Sequence, residues 1–72
     1  MTPTRYILTL TYPDDLGSSR SNFYGPHGLA DAYSEAEGFI EDLTADETGA
    51  AVIRSYAPGG PQGVVVVAYR TN

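Results

Sequence analysis

The sequence predicts an α+β domain, with one helix packed on one face of a three- or four-stranded, mostly antiparallel sheet. Two observations carry this. Leu29, Ala32, Tyr33, Ala36, Phe39, Ile40 and Leu43 fall within an arc of roughly 120° at helical spacing. Tyr6–Tyr12, Ala51–Tyr56 and Val64–Tyr69 are instead dense in β-branched and aromatic residues, the composition of strands. One helix covers only one side of such a sheet, which leaves the other side for solvent or a partner.

In chain order, Arg5–Tyr12 reads as the first strand, with Tyr6, Leu8, Leu10 and Tyr12 on one face and Arg5, Ile7, Thr9 and Thr11 on the other. Pro13-Asp14-Asp15-Leu16-Gly17 supplies turn chemistry, and Ser18–Ser21 continues as a polar loop. Ser21–Tyr24 can return as a short edge strand before Gly25-Pro26. The helix begins between His27 and Ser34. Ser34 and Glu37 have capping-box spacing, yet the apolar pattern reaches back to Leu29 and leaves Ser34 mid-helix as the alternative. Gly38 lies on the polar side of the helix and costs about 1 kcal/mol relative to alanine. The helix is expected to end near Thr44–Thr48, with Gly49 as its stop. Ala50–Tyr56 is a strand, Ala57–Gly63 a loop, and Val64–Thr71 the last strand. The valines at 64–67 are apolar on both faces, which suits a central position.

Size sharpens the problem of the bare face. Seventy-two residues make one domain that buries only about 60% of its unfolded surface, and small scaffolds add disulfides, metals or self-association. Cysteine is absent and histidine occurs once, which removes disulfides and makes a structural zinc site an unfavoured reading. No run of about 18 apolar residues is present, so no membrane span is expected. Met1–Arg5 has no secretory pattern. A soluble, cytoplasmic protein without cofactor is expected.

The helix is placed against Tyr6, Leu8 and Leu10, with Ile53, Val65, Val67 and Tyr69 completing the core. The opposite face then carries Arg5, Ile7, Val52, Arg54, Tyr56, Val64, Val66 and Arg70, the candidate partner-binding set. It holds three of the chain's four cations; the chain has no lysine. Arginine and tyrosine are enriched at binding hot spots, although scattered arginines also solubilise exposed sheets. A one-residue register slip would flip any strand. Self-association through this face, giving a homodimer, is one version of the partner.

Nine acids give a net charge of −5, which opposes sequence-independent nucleic-acid binding. A nucleic-acid module using the arginine face, with Tyr56 beside Arg54 as a stacking pair, is the first alternative. The second is an acidic nucleic-acid mimic acting through Asp31, Glu35, Glu41 and Asp42 on the helix exterior; such a run is more often a solvated face.

Catalytic signals are weak. His27, Asp31 and Glu35 are spaced i, i+4, i+8 and would align for a metal if the helix began at His27, but glycines at 25 and 28 speak against that start. Gly59–Gly63 lacks the Gly-Lys-Ser/Thr ending of a phosphate loop. The serines at 18, 19 and 21 have no histidine-plus-acid constellation. No enzyme is expected.

Tyr12-Pro13-Asp14-Asp15, Tyr24-Gly25-Pro26 and Ala36-Glu37-Gly38-Phe39-Ile40-Glu41-Asp42-Leu43 resemble segments of the small strand-helix-strand accessory proteins of actinobacterial phages and mobile elements. The resemblance spans about half of the chain. Many members of that class have no known activity; it includes proteins that bind and inhibit host factors, antiphage defence among them, and the resemblance brings no catalytic residue. The reading from sequence is therefore a small protein-interaction module.

Overall fold

The computed structural model describes residues 3–14, 16–44 and 46–71; Met1, Thr2, Asp15, Ala45 and Asn72 lie outside the described residues. The elements are β1 (Arg5–Thr11), β2 (Ser18–Phe23), α1 (Gly28–Asp42), β3 (Ala50–Tyr56) and β4 (Gln62–Arg70). The strands form one sheet in the order β2-β1-β3-β4, and every neighbouring pair is antiparallel. This is the expected α+β architecture. Two hairpins are joined by the helix, which crosses from the β2 edge back to β3.

The helix lies on the face carrying Leu8, Leu10, Ala51 and Ile53, all buried. Its contact row is made of small residues, Gly28, Ala32 and Ala36, spaced i, i+4, i+8 and all buried, so the backbone of α1 approaches the sheet closely. Larger side chains close the flanks: Tyr6, Tyr12, Phe23, Leu29, Tyr33, Phe39, Ile40, Val67 and Tyr69 pack around the buried cluster. Tyr12 meets Phe39 edge-on at 5.5 Å between ring centroids, a favoured aromatic geometry. Gly28 suits that closeness, because a Cβ there would crowd the Phe23 carbonyl carbon at 3.2 Å.

The start of α1 resolves the choice about Ser34. His27 is the N-cap residue, with φ −105° and no side-chain cap, so Ser34 is mid-helix and exposed. Asp31 in the first turn complements the positive end of the helix. The other end differs from expectation. The helix stops at Asp42, and Leu43 turns extended at φ −76°, ψ 139°, so Gly49 is not the stop. Instead the Thr44 N–H donates to Glu47 Oε1 at 2.8 Å, and the Glu47 N–H donates back to the Thr44 carbonyl at 3.1 Å. This local turn takes the place of a further helical turn.

Gly49 is buried for a tertiary reason. A Cβ at that position would lie 2.8 Å from Leu43 Cδ1 and 3.1 Å from the Thr11 carbonyl oxygen. Its N–H donates to Thr71 Oγ1 at 2.8 Å, and its carbonyl accepts from the Thr71 N–H at 3.0 Å. The residue after β4 thereby holds the approach to β3.

Two strands correct the sequence reading. Ser18–Phe23 is a full edge strand, paired with β1 from Tyr6↔Phe23 to Thr11↔Ser18, rather than a polar loop followed by a short strand. Its serine-rich composition hid it. The strand β4 is the opposite edge, not a central strand: only β3 pairs with it. The valine run lies in a bulged strand. Its register against β3 shifts between Ile53 and Arg54 and again between Ser55 and Tyr56, which leaves Val66 and Gly63 without a partner across the ladder. Gly63 takes φ +72°, a left-handed conformation suited to glycine.

Between the two shifts, Val65 lies opposite Arg54 and Val64 opposite Ser55. The alternation is thus reversed there. Val65 does not join the core; it is 49% exposed, beside Val64 at 47% and Val66 at 40%. Val67 and Tyr69 do flank the core.

Candidate functional site

The uncovered face can be assembled from the ladder, since directly paired residues share a side of the sheet. Four cross-strand rows result. The first is Arg5, Tyr56 and Gln62; the second is Asn22, Ile7, Arg54 and Val65. The third is Arg20, Thr9, Val52 and Ala68, and the fourth is Ser18, Thr11, Ala50 and Arg70.

All four arginines are on this face, one from each strand and one in each row. No two are directly opposed, so the ladder avoids the like-charge pairs that destabilise sheets. The rows are about 6.8 Å apart and the strands about 4.8 Å, which spreads the charge widely. No strand contains an acid; the nine acids fall in α1 and in the connections. The five acids of α1 lie across the sheet from the arginines, while Asp14 lines a hollow with Arg70 at one end of the face.

Of the residues picked from sequence, Arg5, Ile7, Val52, Arg54, Tyr56 and Arg70 share this face. Val64 does not, because the bulge gives it the register of Ser55, on the helix side of the sheet. Val66 sits at the bulge itself. Sequence reasoning missed Arg20 and Val65. Counting back from Phe23 in steps of two would have found Arg20: Phe23, Ser21 and Ser19 align with the core residues Tyr6, Leu8 and Leu10, which leaves Asn22 and Arg20 on the other side. Nothing in the valine run marks where the shift falls.

At the Arg5 end, the face opens into a shallow groove of about 310 Å³ lined by Pro3, Arg5, Tyr24, Tyr56, Pro58 and Gln62. The Arg5 guanidinium carbon stands 5.0 Å from the Tyr56 ring centroid, a cation–π distance. Gln62 Nε2 donates to the Ala57 carbonyl at 2.7 Å and to the Gly60 carbonyl at 3.1 Å, which ties the β3–β4 loop and holds Pro58 beside the groove. The expected pairing of Tyr56 with Arg54 is replaced by Tyr56 with Arg5, because the latter two are directly opposed across β1 and β3.

The acidic alternative lies on the other side. Asp31, Glu35, Glu41 and Asp42 are exposed on α1. On that side Tyr69 packs near Glu37, Ile40 and Glu41. Its hydroxyl is held above the ordinary tyrosine value, first by burial and then by the negative charge of Glu37 and by Tyr33. His27 precedes the helix, so the spacing His27, Asp31, Glu35 does not lie on one helical face. Among the described residues no three histidine or acidic side chains gather to hold a metal ion. No helix of the described residues is long and apolar enough to cross a membrane.

Comparison with family models, curated proteins and solved structures gives no match for this chain.

Proposed function

We propose that this chain is a non-enzymatic protein-interaction module whose uncovered sheet face docks on an acidic surface of a partner protein and blocks it. One observation carries the reading: the four arginines stand one per strand on a face without any strand acid, interleaved with Ile7, Val52, Val65 and Tyr56. Apolar area with dispersed cations matches the composition of protein-binding surfaces. The face measures about 24 by 19 Å, roughly 450 Å² in projection. That falls short of a standard interface, which buries about 800 Å² per partner, and fits a weak or transient complex.

The finer reading rests on the resemblance to phage and mobile-element accessory proteins. It takes the partner as a host factor, antiphage defence included, and the setting as cytoplasmic. Self-association through the same face is less well supported, since stacking two copies would bring arginines together without carboxylates to pair them.

Affinity capture with three proteins tests the reading: wild type, Arg54→Glu with Arg70→Glu, and Glu35→Lys with Asp42→Lys. A partner retained by the wild type and the helix variant but lost by the arginine variant is expected, with direct binding weakened by salt. Loss with the helix variant alone would transfer the function to the acidic side. Tight binding of random oligonucleotides at low salt would favour the nucleic-acid reading.

A further inference from the structure

A face of this size needs its affinity concentrated, and the groove at its Arg5 end is where the geometry does so. We propose that the groove between Tyr24 and Tyr56 anchors an extended acidic segment of the partner, a carboxylate pairing with Arg5 while the adjoining prolyl or aliphatic residue packs on the tyrosine and proline walls. This deepens the docking reading above and rests on it.

Charge and lining together select that occupant. Among the described residues Arg5 is the groove's only cation and no acid lines it, so the complementary group is an anion. A guanidinium held over an aromatic ring still presents N–H donors at its edge, suited to a bidentate carboxylate. The walls are mostly apolar and shaped by rings: Pro3 and Pro58 have no N–H to offer, and both Nε2 hydrogens of Gln62 are already committed to loop carbonyls. Such walls take a side chain by packing; they also suit a stacked base, and binding of an oligothymidylate decides between the two. Tyr24 is 57% exposed, a large ring kept at the surface where a partner can cover it. A nucleic-acid strand would instead need cations along its path, and the remaining arginines stand in other rows, beyond the groove.

The test is fluorescence anisotropy with a labelled acetyl-Glu-Pro-Leu-Glu-Pro-Leu-amide peptide, its glutamine counterpart and an oligothymidylate of matched charge. The glutamate peptide is expected to bind and the other two to bind at least about 10-fold more weakly. Arg5→Gln and Tyr24→Ala should each weaken the peptide about 30-fold, as hot-spot truncations do. Ser34→Ala, on the far side of the helix, should leave binding unchanged. The triple variant Arg20→Gln, Arg54→Gln, Arg70→Gln should cost less than Arg5→Gln alone. Circular dichroism checks that each variant is folded. No binding of the glutamate peptide, equal binding of the glutamine peptide, or preference for the oligothymidylate overturns the proposal. If the triple variant loses the peptide while Arg5→Gln keeps it, the groove is wrong but the face reading survives. The charge-reversal capture with a folded partner judges that reading separately.

Discussion

Two glycine-to-alanine substitutions should move stability in opposite directions. Gly38 is exposed in the middle of α1, and a Cβ added there would have nothing within 4 Å; at Gly49 the same atom would lie 2.8 Å from Leu43 Cδ1 and 3.1 Å from the Thr11 carbonyl oxygen. Neither residue has a positive φ, so backbone strain does not separate them. Both alanines restrict the unfolded chain by a similar amount, so opposite signs must come from the folded state. At Gly38 the gain in helix propensity is about 1 kcal/mol. At Gly49 the leucine tip can rotate away, but the carbonyl is held in the sheet, and overpacking of this kind costs about 1–3 kcal/mol. A chain of this length has a total stability of roughly 4–11 kcal/mol, and each kcal/mol moves the melting temperature by about 4–8 °C. Gly38→Ala should thus melt about 4–8 °C above wild type, and Gly49→Ala at least that far below it. Thermal unfolding followed by circular dichroism decides the matter. Equal shifts in the same direction, or a neutral Gly49→Ala, would refute the packing argument.

Ile53 and Leu8 are the largest fully buried side chains, so Ile53→Ala should cost about 2–5 kcal/mol, read as a lower urea midpoint. The Tyr69 hydroxyl has a folded-state pKa above its unfolded value, chiefly from burial and then from Glu37 and Tyr33. Its contribution to stability is fully present below the unfolded value of about 10 and is lost as pH rises through the folded value. Melting curves across that alkaline range should fall more steeply for wild type than for Tyr69→Phe; parallel curves would remove Tyr69 from the account.

The sequence by itself determined the helix and the two central strands, because local patterns encode them. The helical spacing from Leu29 to Ile40 identifies α1, and the alternation in Arg5–Thr11 and Ala50–Tyr56 fixes which residues of the two central strands face the helix. Those alternations were enough to put Arg5, Arg54, Ile7 and Val52 together on the uncovered side. Only the tertiary structure decided the edges. Ser18–Phe23 has little intrinsic strand character and forms a strand by pairing with β1, which brings Arg20 onto the face. The valines at 64–67 have no polar alternation to mark their register, so the bulges at Val66 and Gly63 exchange the sides of Val64 and Val65. Gly49, misread from sequence as a helix stop, owes its place to a crowded contact with Leu43 and Thr11 that no local pattern contains. Periodicity records which side of an element is apolar; which residue of another strand lies opposite is settled by pairing between distant parts of the chain.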